Sequence, residues 1–238
     1  MFKSKIKSFF FKKAIKYEDV GNPIDHSFGS VDWLIATEKY LGGLSTNVKR
    51  HKVSPLDPRT PEEIATGGMT GGDRMFHHGY AHSYSKALNQ FIVRRNDALT
   101  IVEVGILRGV GLALWSMLFP HARIIGLDID LSHTKNNLTK LKDLGAFRYG
   151  DPELYLFDQL NPNSQEVEKI FDGKKIDVCI DDGLHSDEAI VRTATALHSH
   201  LASNFVYFVE DSFIEENTLR SIFRNSTLIR NGELTVVQ

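Results

Sequence analysis

The chain has 238 residues, 42% apolar and 24% charged, with 28 basic against 30 acidic side chains. This composition is that of a soluble globular protein, long enough to bury a full core, and its near balance of charge gives no global pull toward nucleic acid or acidic lipid. The single cysteine, Cys179, cannot form an internal disulfide and fits a reducing cytoplasm, and no stretch approaches the roughly 18–20 apolar residues of a membrane span.

The opening MFKSKIKSFFFKKAIK is lysine-rich around Phe9, Phe10 and Phe11. It reads as a basic first helix that packs its rings on the domain, with a weak membrane-surface or partner-docking helix as the alternative. Its apolar run is too short for a secretory signal. Helical spacing is clearest from Val31 to Tyr40. The stretch SPLDPRTPEE then brings Pro55, Pro58 and Pro61, which break any continuous helix. Residues 1–65 are therefore expected to form an N-terminal helical extension or lid, ahead of a main domain at 66–238. That domain opens on a glycine-rich loop, TGGMTGGDRMFHHGYAHSY, and a helix from about Ala81 to Arg95.

From Leu99 onward strands and helices alternate. TIVEVG, RIIGLDID, ELYLFDQL, KIDVCIDDG and NFVYFVEDS read as five strands. Helices are expected over about 110–119, LSHTKNNLTKLKDLG, 164–171 and 186–202. Continuous apolar strands spaced by amphipathic helices predict an α/β, doubly wound, mostly parallel sheet covered on both faces. Asn231-Gly232, between two β-rich runs, predicts a C-terminal antiparallel hairpin.

Ligands of such sheets bind beyond the carboxyl ends of the strands, at the switch point. The first strand runs into Glu103-Val-Gly105-Ile-Leu-Arg-Gly109-Val-Gly111. These glycines do not match the dinucleotide fingerprint, and no Gly-Lys-Ser/Thr makes a phosphate loop. Asp128 closes the second strand, where an acid holds a ribose diol. A structural turn in some other Rossmann-like domain is the competing reading of the glycines.

The fourth strand ends Asp181-Asp182-Gly183-Leu184-His185 and the fifth ends Glu210-Asp211. Neighbouring parallel strands bring these tips to one edge. Unpaired carboxylates there raise one another's pKa, a cost that a divalent cation resolves, and an all-oxygen set suits Mg²⁺ or a relative such as Mn²⁺. His185 reaches the same place as a general base. Strand-end acids also cap following helices, and Asp187 and Glu188 are expected in a first helical turn.

The E-x-G loop with Asp128 resembles the class I S-adenosylmethionine-dependent methyltransferases. With His78-Gly79-Tyr80 and Tyr84, the GLDI around Asp128, Asp158-Gln159, I-D-D-G-x-H and V-E-D, the chain over about 70–213 is similar to the metal-dependent O-methyltransferases of macrolide deoxysugars. The resemblance implies the Rossmann-like class I methyltransferase fold, Asp182, Glu210 and Asp211 as metal ligands, and His185, assisted by Asp182, in catalysis. It implies cofactor contacts from Tyr80, Glu103, Gly105, Gly109, Asp128, Asp158, Gln159 and Asp181. It further implies a homo-oligomer and methylation of a sugar hydroxyl on a glycoside or glycan, a deoxyhexose such as rhamnose being favoured. A catechol or other aromatic diol is the rival acceptor, and a non-catalytic Rossmann-like binding subunit the rival class. The chain departs from the family at Leu184, Asn161 and the loop Thr70-Gly71-Gly72-Asp73-Arg74. Residues 1–65 carry none of the motifs and are expected to shape the acceptor site or an oligomer contact, without being required for cofactor binding.

Overall fold

The computed structural model describes residues 17–238; the expected basic first helix lies outside the described residues. Helix α1 is Val31–Tyr40, as its spacing predicts, and Ser30 caps it by accepting from the Trp33 N–H. Strand β1 (Ser45–Val48) pairs antiparallel with β2 (Met69–Gly71). Between them α2 (Pro61–Thr66) starts at the third proline of the run, because Pro61 sits at the first helical position and Thr60 with Glu63 forms a capping box. Helix α3 (Ala81–Ile92) follows, slightly shorter than expected.

The main sheet is built from β3 (Thr100–Val104), β4 (Arg123–Asp128), β5 (Glu153–Leu156), β6 (Ile176–Asp181), β7 (Leu201–Val209), β8 (Leu228–Asn231) and β9 (Leu234–Val237). Its order is β5-β4-β3-β6-β7-β9-β8. The first five pair in parallel, and β9 closes antiparallel on β7 with β8 as its hairpin partner. Helices α4 (Val110–Leu118), α5 (Ser132–Asp143), α6 (Ser164–Phe171), α7 (Asp187–His198) and α8 (Glu216–Ile222) connect the strands. Strand β5 is shorter than ELYLFDQL, the chain turning at Asp158. The hairpin loop is Gly232-Glu233, one residue later than Asn231-Gly232, with the left-handed φ of 63° at Gly232.

Each face of the sheet carries its own core. One packs Ile101, Val178, Ile180, Val206 and Phe208 against α1, α3 and α4. The other packs Val102, Val104, Cys179, Tyr207 and Val209 against α6, α7 and α8. Helix α1 contributes Trp33 and Leu34 to the first core, and β1 with β2 forms a separate two-stranded sheet, so the described part of residues 1–65 is packed on the main sheet and hydrogen-bonded to residues 69–71. The chain leaves β3 toward β4 on one side and enters β6 on the other, so the switch point lies between β3 and β6.

Candidate active site

A cavity of about 500 Å³ opens beyond the strand ends at this switch point, within the range of small-molecule sites. Gly105, Asp128, Asp158, Asp182, His185 and Asp211 all line it. Strand alternation decides which acids meet there. Residues 179 and 181 of β6 face the second core, so 178, 180 and the following Asp182 face the first. The same rule puts Glu103 and Glu210 on the first-core side, so Glu103, Asp182 and Glu210 converge.

They converge on Arg74. The glycine-rich loop between β2 and α3 delivers this guanidinium into the first core, where it is 6% exposed. Its Nε donates to both Glu210 oxygens at 2.6 and 2.8 Å, and Nη2 donates to Glu103 at 2.7 Å and Asp182 at 2.8 Å. The rings of Trp115 and Tyr84 lie 5.5 and 5.9 Å from it. Trp115 Nε1 donates to the second Glu103 oxygen, and the Tyr84 hydroxyl donates to Glu210. Gly111 has no side chain because a Cβ there would run into the Glu103 carboxylate. Burial pulls the Arg74 pKa down, but the Glu210 and Glu103 carboxylates outweigh it and hold it well above the ordinary guanidinium value. One guanidinium faces three carboxylates, and the excess negative charge shows in the acids. Burial raises Glu103 with Arg74 opposing; burial and the Glu210 charge raise Asp182 well above the ordinary range, Arg74 again opposing.

Asp211 lies on the cavity side of this cluster. Its Oδ1 accepts from the Tyr80 hydroxyl at 2.6 Å and stands 3.2 Å from His78 Nδ1. The other His78 nitrogen lies 3.3 Å from Asp73, whose hydrogen bond, against burial, raises His78 to about 9. His185 Nε2 stands 3.9 Å from Asp182 Oδ1. Both His185 and Asp211 are held in left-handed backbone, at φ of 59° and 50°, a strained conformation that clusters at functional sites.

Among the described residues two groups place one ligand atom each within 4.8 Å of one another: Asp182, His185 and Asp211, and His78, Asp211 and Glu233. Only the first lines the cavity completely. Two carboxylates beside an unbalanced negative cluster fit a divalent cation, with the imidazole within reach of the same point. Of the expected ligands, Glu210 does not line the cavity, and its carboxylate accepts from Arg74 and Tyr84.

The expected cofactor residues divide in the same way. Asp128 Oδ2 accepts from the Ile106 and Leu107 N–H groups at 2.9 and 3.2 Å, and burial raises its pKa. The carboxylate is thereby fixed at the cavity wall with lone pairs left for hydroxyl donors. Asp158 is also in the wall, accepting from Ser54 Oγ at 2.7 Å. Gly109 caps α4 at φ 74°. Glu103 and Gln159 line the cavity while also bonding within the protein, whereas Asp181 and Tyr80 do not line it. Glu103 is taken by Arg74 and Trp115. Asp181 faces the second core, does not line the cavity, and accepts from Gln159 at 2.7 Å and Tyr207 at 3.3 Å. Gln159 spends its amide on Asp181, Thr193 and the Leu184 N–H. Tyr80 does not line the cavity and instead holds Asp211. The sequence reading passed over Arg74 and also Glu38, a buried carboxylate of α1 that accepts from the Met75 N–H at 3.0 Å and the Phe76 N–H at 3.4 Å, fixing the loop that carries Arg74.

The sheet order, the loop after β3 and the acid closing β4 are those of the class I methyltransferase fold. No protein-family model matches the chain. It is similar to the L-olivosyl-oleandolide 3-O-methyltransferase of Streptomyces antibioticus, 25% identical over 188 residues that cover 73% of this chain and 42% of that protein. Its fold matches that of the MycE methyltransferase from the mycinamycin biosynthetic pathway in complex with Mg and SAH, with a TM-score of 0.54 and 19% identity over 68% of this chain and 50% of the other. The same enzyme with Mg, SAH and mycinamycin VI matches with a TM-score of 0.52 and 21% identity, over 68% and 50% of the two chains. The chain thus spans less than half the length of the curated relative and half that of the solved structures.

Proposed function

We propose that this chain is an S-adenosylmethionine-dependent O-methyltransferase that uses a divalent cation, Mg²⁺ or Mn²⁺, and acts on a sugar hydroxyl of a glycoside, a deoxyhexose such as rhamnose being favoured. The observation that carries the reading is the meeting of Asp182, His185 and Asp211 at the wall of a cavity that Asp128 also lines. The curated relative's activity on a macrolide sugar supports the acceptor class.

In this reading Asp128 accepts the ribose hydroxyls of the cofactor, and the backbone around Gly105 and Gly109 turns beside its methionine portion. Asp158 closes the far wall. Asp182 and Asp211 hold the cation, which when bound supplies a lowered pKa to an acceptor hydroxyl near it. His185, through Nε2, takes the acceptor proton as the hydroxyl oxygen displaces the sulfonium, so the new C–O bond forms as the C–S bond breaks and S-adenosylhomocysteine leaves. Arg74, Tyr80 and Gln159 tie the strand-tip acids to the surrounding protein. The same reading expects a homo-oligomer in the cytoplasm, which sedimentation and cell fractionation measure. No helix among the described residues is long and apolar enough to cross a membrane.

The test is calorimetric binding of S-adenosylhomocysteine, followed by turnover on a panel of terminal rhamnosides, fucosides and catechols with Mg²⁺ and with EDTA. Methylation of a glycoside that stops in EDTA is the expected result. Turnover on catechols alone would reassign the acceptor, and cofactor binding without any turnover would favour a binding subunit.

A further inference from the structure

Arg74 makes the site unlike a bare cluster of strand-tip acids. Its guanidinium is planar and permanently charged, and it is held in a fixed geometry from three sides. Both Glu210 oxygens lie within 2.8 Å of Nε, one of them also accepts from Tyr84, and the residue is 2% exposed. Three donor contacts, two from Arg74 and one from Tyr84, thus engage this carboxylate. Glu210 is also absent from the cavity wall, whereas Asp182 and Asp211 are in it. Asp182 is shared: Oδ2 binds Arg74 at 2.8 Å while Oδ1 faces His185 at 3.9 Å.

We propose that Arg74 is a built-in cation that neutralises Glu103 and Glu210 and withdraws Glu210 from the divalent-ion site, leaving Asp182 and Asp211 as the carboxylate ligands with His185 beside them. This rests on the functional reading above in requiring that a cation binds at Asp182 and Asp211. Two consequences separate it from a three-carboxylate site. The acids next to the cofactor cavity are partly neutralised without metal, so the metal-free protein keeps its cavity and binds S-adenosylhomocysteine. The ion also meets a lower ligand charge, which weakens its binding.

Mn²⁺ titrations followed by electron paramagnetic resonance test the assignment without reference to turnover. Losing a direct ligand costs at least what losing a ligand's hydrogen-bond partner does, about 10- to 100-fold in affinity, and that loss is expected for Asp211→Asn. Glu210→Gln is expected to change affinity by less than about threefold, the residue of one charge lost behind a guanidinium. Arg74→Lys keeps the charge but cannot bridge three carboxylates. The freed Glu210 then joins the ion, and affinity rises by about tenfold through the added carboxylate. Adding Glu210→Gln to Arg74→Lys returns it to the wild-type value. A purely structural role for Arg74 produces no such gain. Loss of Mn²⁺ in Glu210→Gln equal to that in Asp211→Asn would overturn the proposal and leave the metal-dependent reading standing. A wild type that takes up no Mn²⁺ would remove the metal from the functional reading and this proposal with it. If Arg74→Lys does not fold, the Glu210→Gln and Asp211→Asn pair decides alone.

Discussion

His185 and Glu38 show what single residues contribute and how each is tested. His185 faces the cavity with no hydrogen-bond duty toward the strands, only the 3.9 Å approach to Asp182. His185→Ala should therefore slow methyl transfer by about 10²–10⁴-fold, the range of a lost general base, while leaving S-adenosylhomocysteine affinity unchanged in calorimetry; normal turnover would remove the base. Glu38 is raised by burial, against its backbone donors, from 4.5 to about 7. It binds its proton more tightly folded than unfolded, so the associated stability is complete below pH 4.5 and lost as pH rises through 7. Asp181, also raised to about 7 by burial, shifts stability in the same direction. Between pH 5 and 8 the wild type should lose up to about 3 kcal/mol more than Glu38→Gln, measured by urea unfolding. Equal losses in the two proteins would contradict it. Neither Glu38 nor Arg74 was legible as a site residue. Their partners lie 37 and 136 positions away for the Met75 and Glu210 bonds, and pairing at that separation leaves no local pattern.

At the level of elements, the strand tips depend on glycine for close approach of backbone to backbone. Gly105 adopts φ 82°, and a Cβ there would fall onto the Asp182 carbonyl oxygen. Gly145 is equally left-handed, at φ 89°, but its Cβ would meet nothing within 4 Å. Gly145→Ala should cost only the backbone strain, about 1 kcal/mol, whereas Gly105→Ala should cost more. At this chain length each kcal/mol lowers Tm by about 2–4 °C, so a thermal scan resolves the pair; equal shifts would mean that the tip contact is soft. The five parallel strands were legible because fully buried strands are continuous apolar runs, and the tip acids because charge at the end of such a run is conspicuous. Which tip acid faces which core followed from the period of two and was available in the sequence, yet it was not used to set Asp181 apart from Asp182. No helix runs through the proline stretch, as its residues predict, but Thr60-Pro61-Glu62-Glu63 is also a helix start, and Pro61 opens α2.

For the molecule as a whole, the described part of residues 1–65 is bound to the sheet domain at several points. Leu34 and Trp33 are in the first core beside Tyr84 and Phe91, β1 pairs with β2, and Ser54 reaches Asp158. Removing residues 1–65 would uncover apolar side chains of α3 and α4 and free the Arg74 loop from Glu38. A fragment of residues 66–238 should therefore be recovered aggregated, in contrast to the sequence-based expectation that it binds cofactor on its own. A soluble fragment with wild-type S-adenosylhomocysteine affinity would restore that expectation. The N-terminal contribution was hidden because α1 carries no motif; its weight lies in packing, which only the assembled core displays.

The chain has two tryptophans, and one of them, Trp115, donates its indole N–H to Glu103 at 2.9 Å beneath the Arg74 guanidinium. The charge cluster is therefore wired to an intrinsic fluorophore. In a Trp33→Phe background every emitted photon of indole origin comes from the edge of the candidate site. Cations or cofactor arriving at Asp182 draw on the same guanidinium that sits over this ring, so emission should shift in wavelength or intensity along the binding curve. A trace that stays flat while calorimetry registers binding would mean that Trp115 is insulated from the cavity.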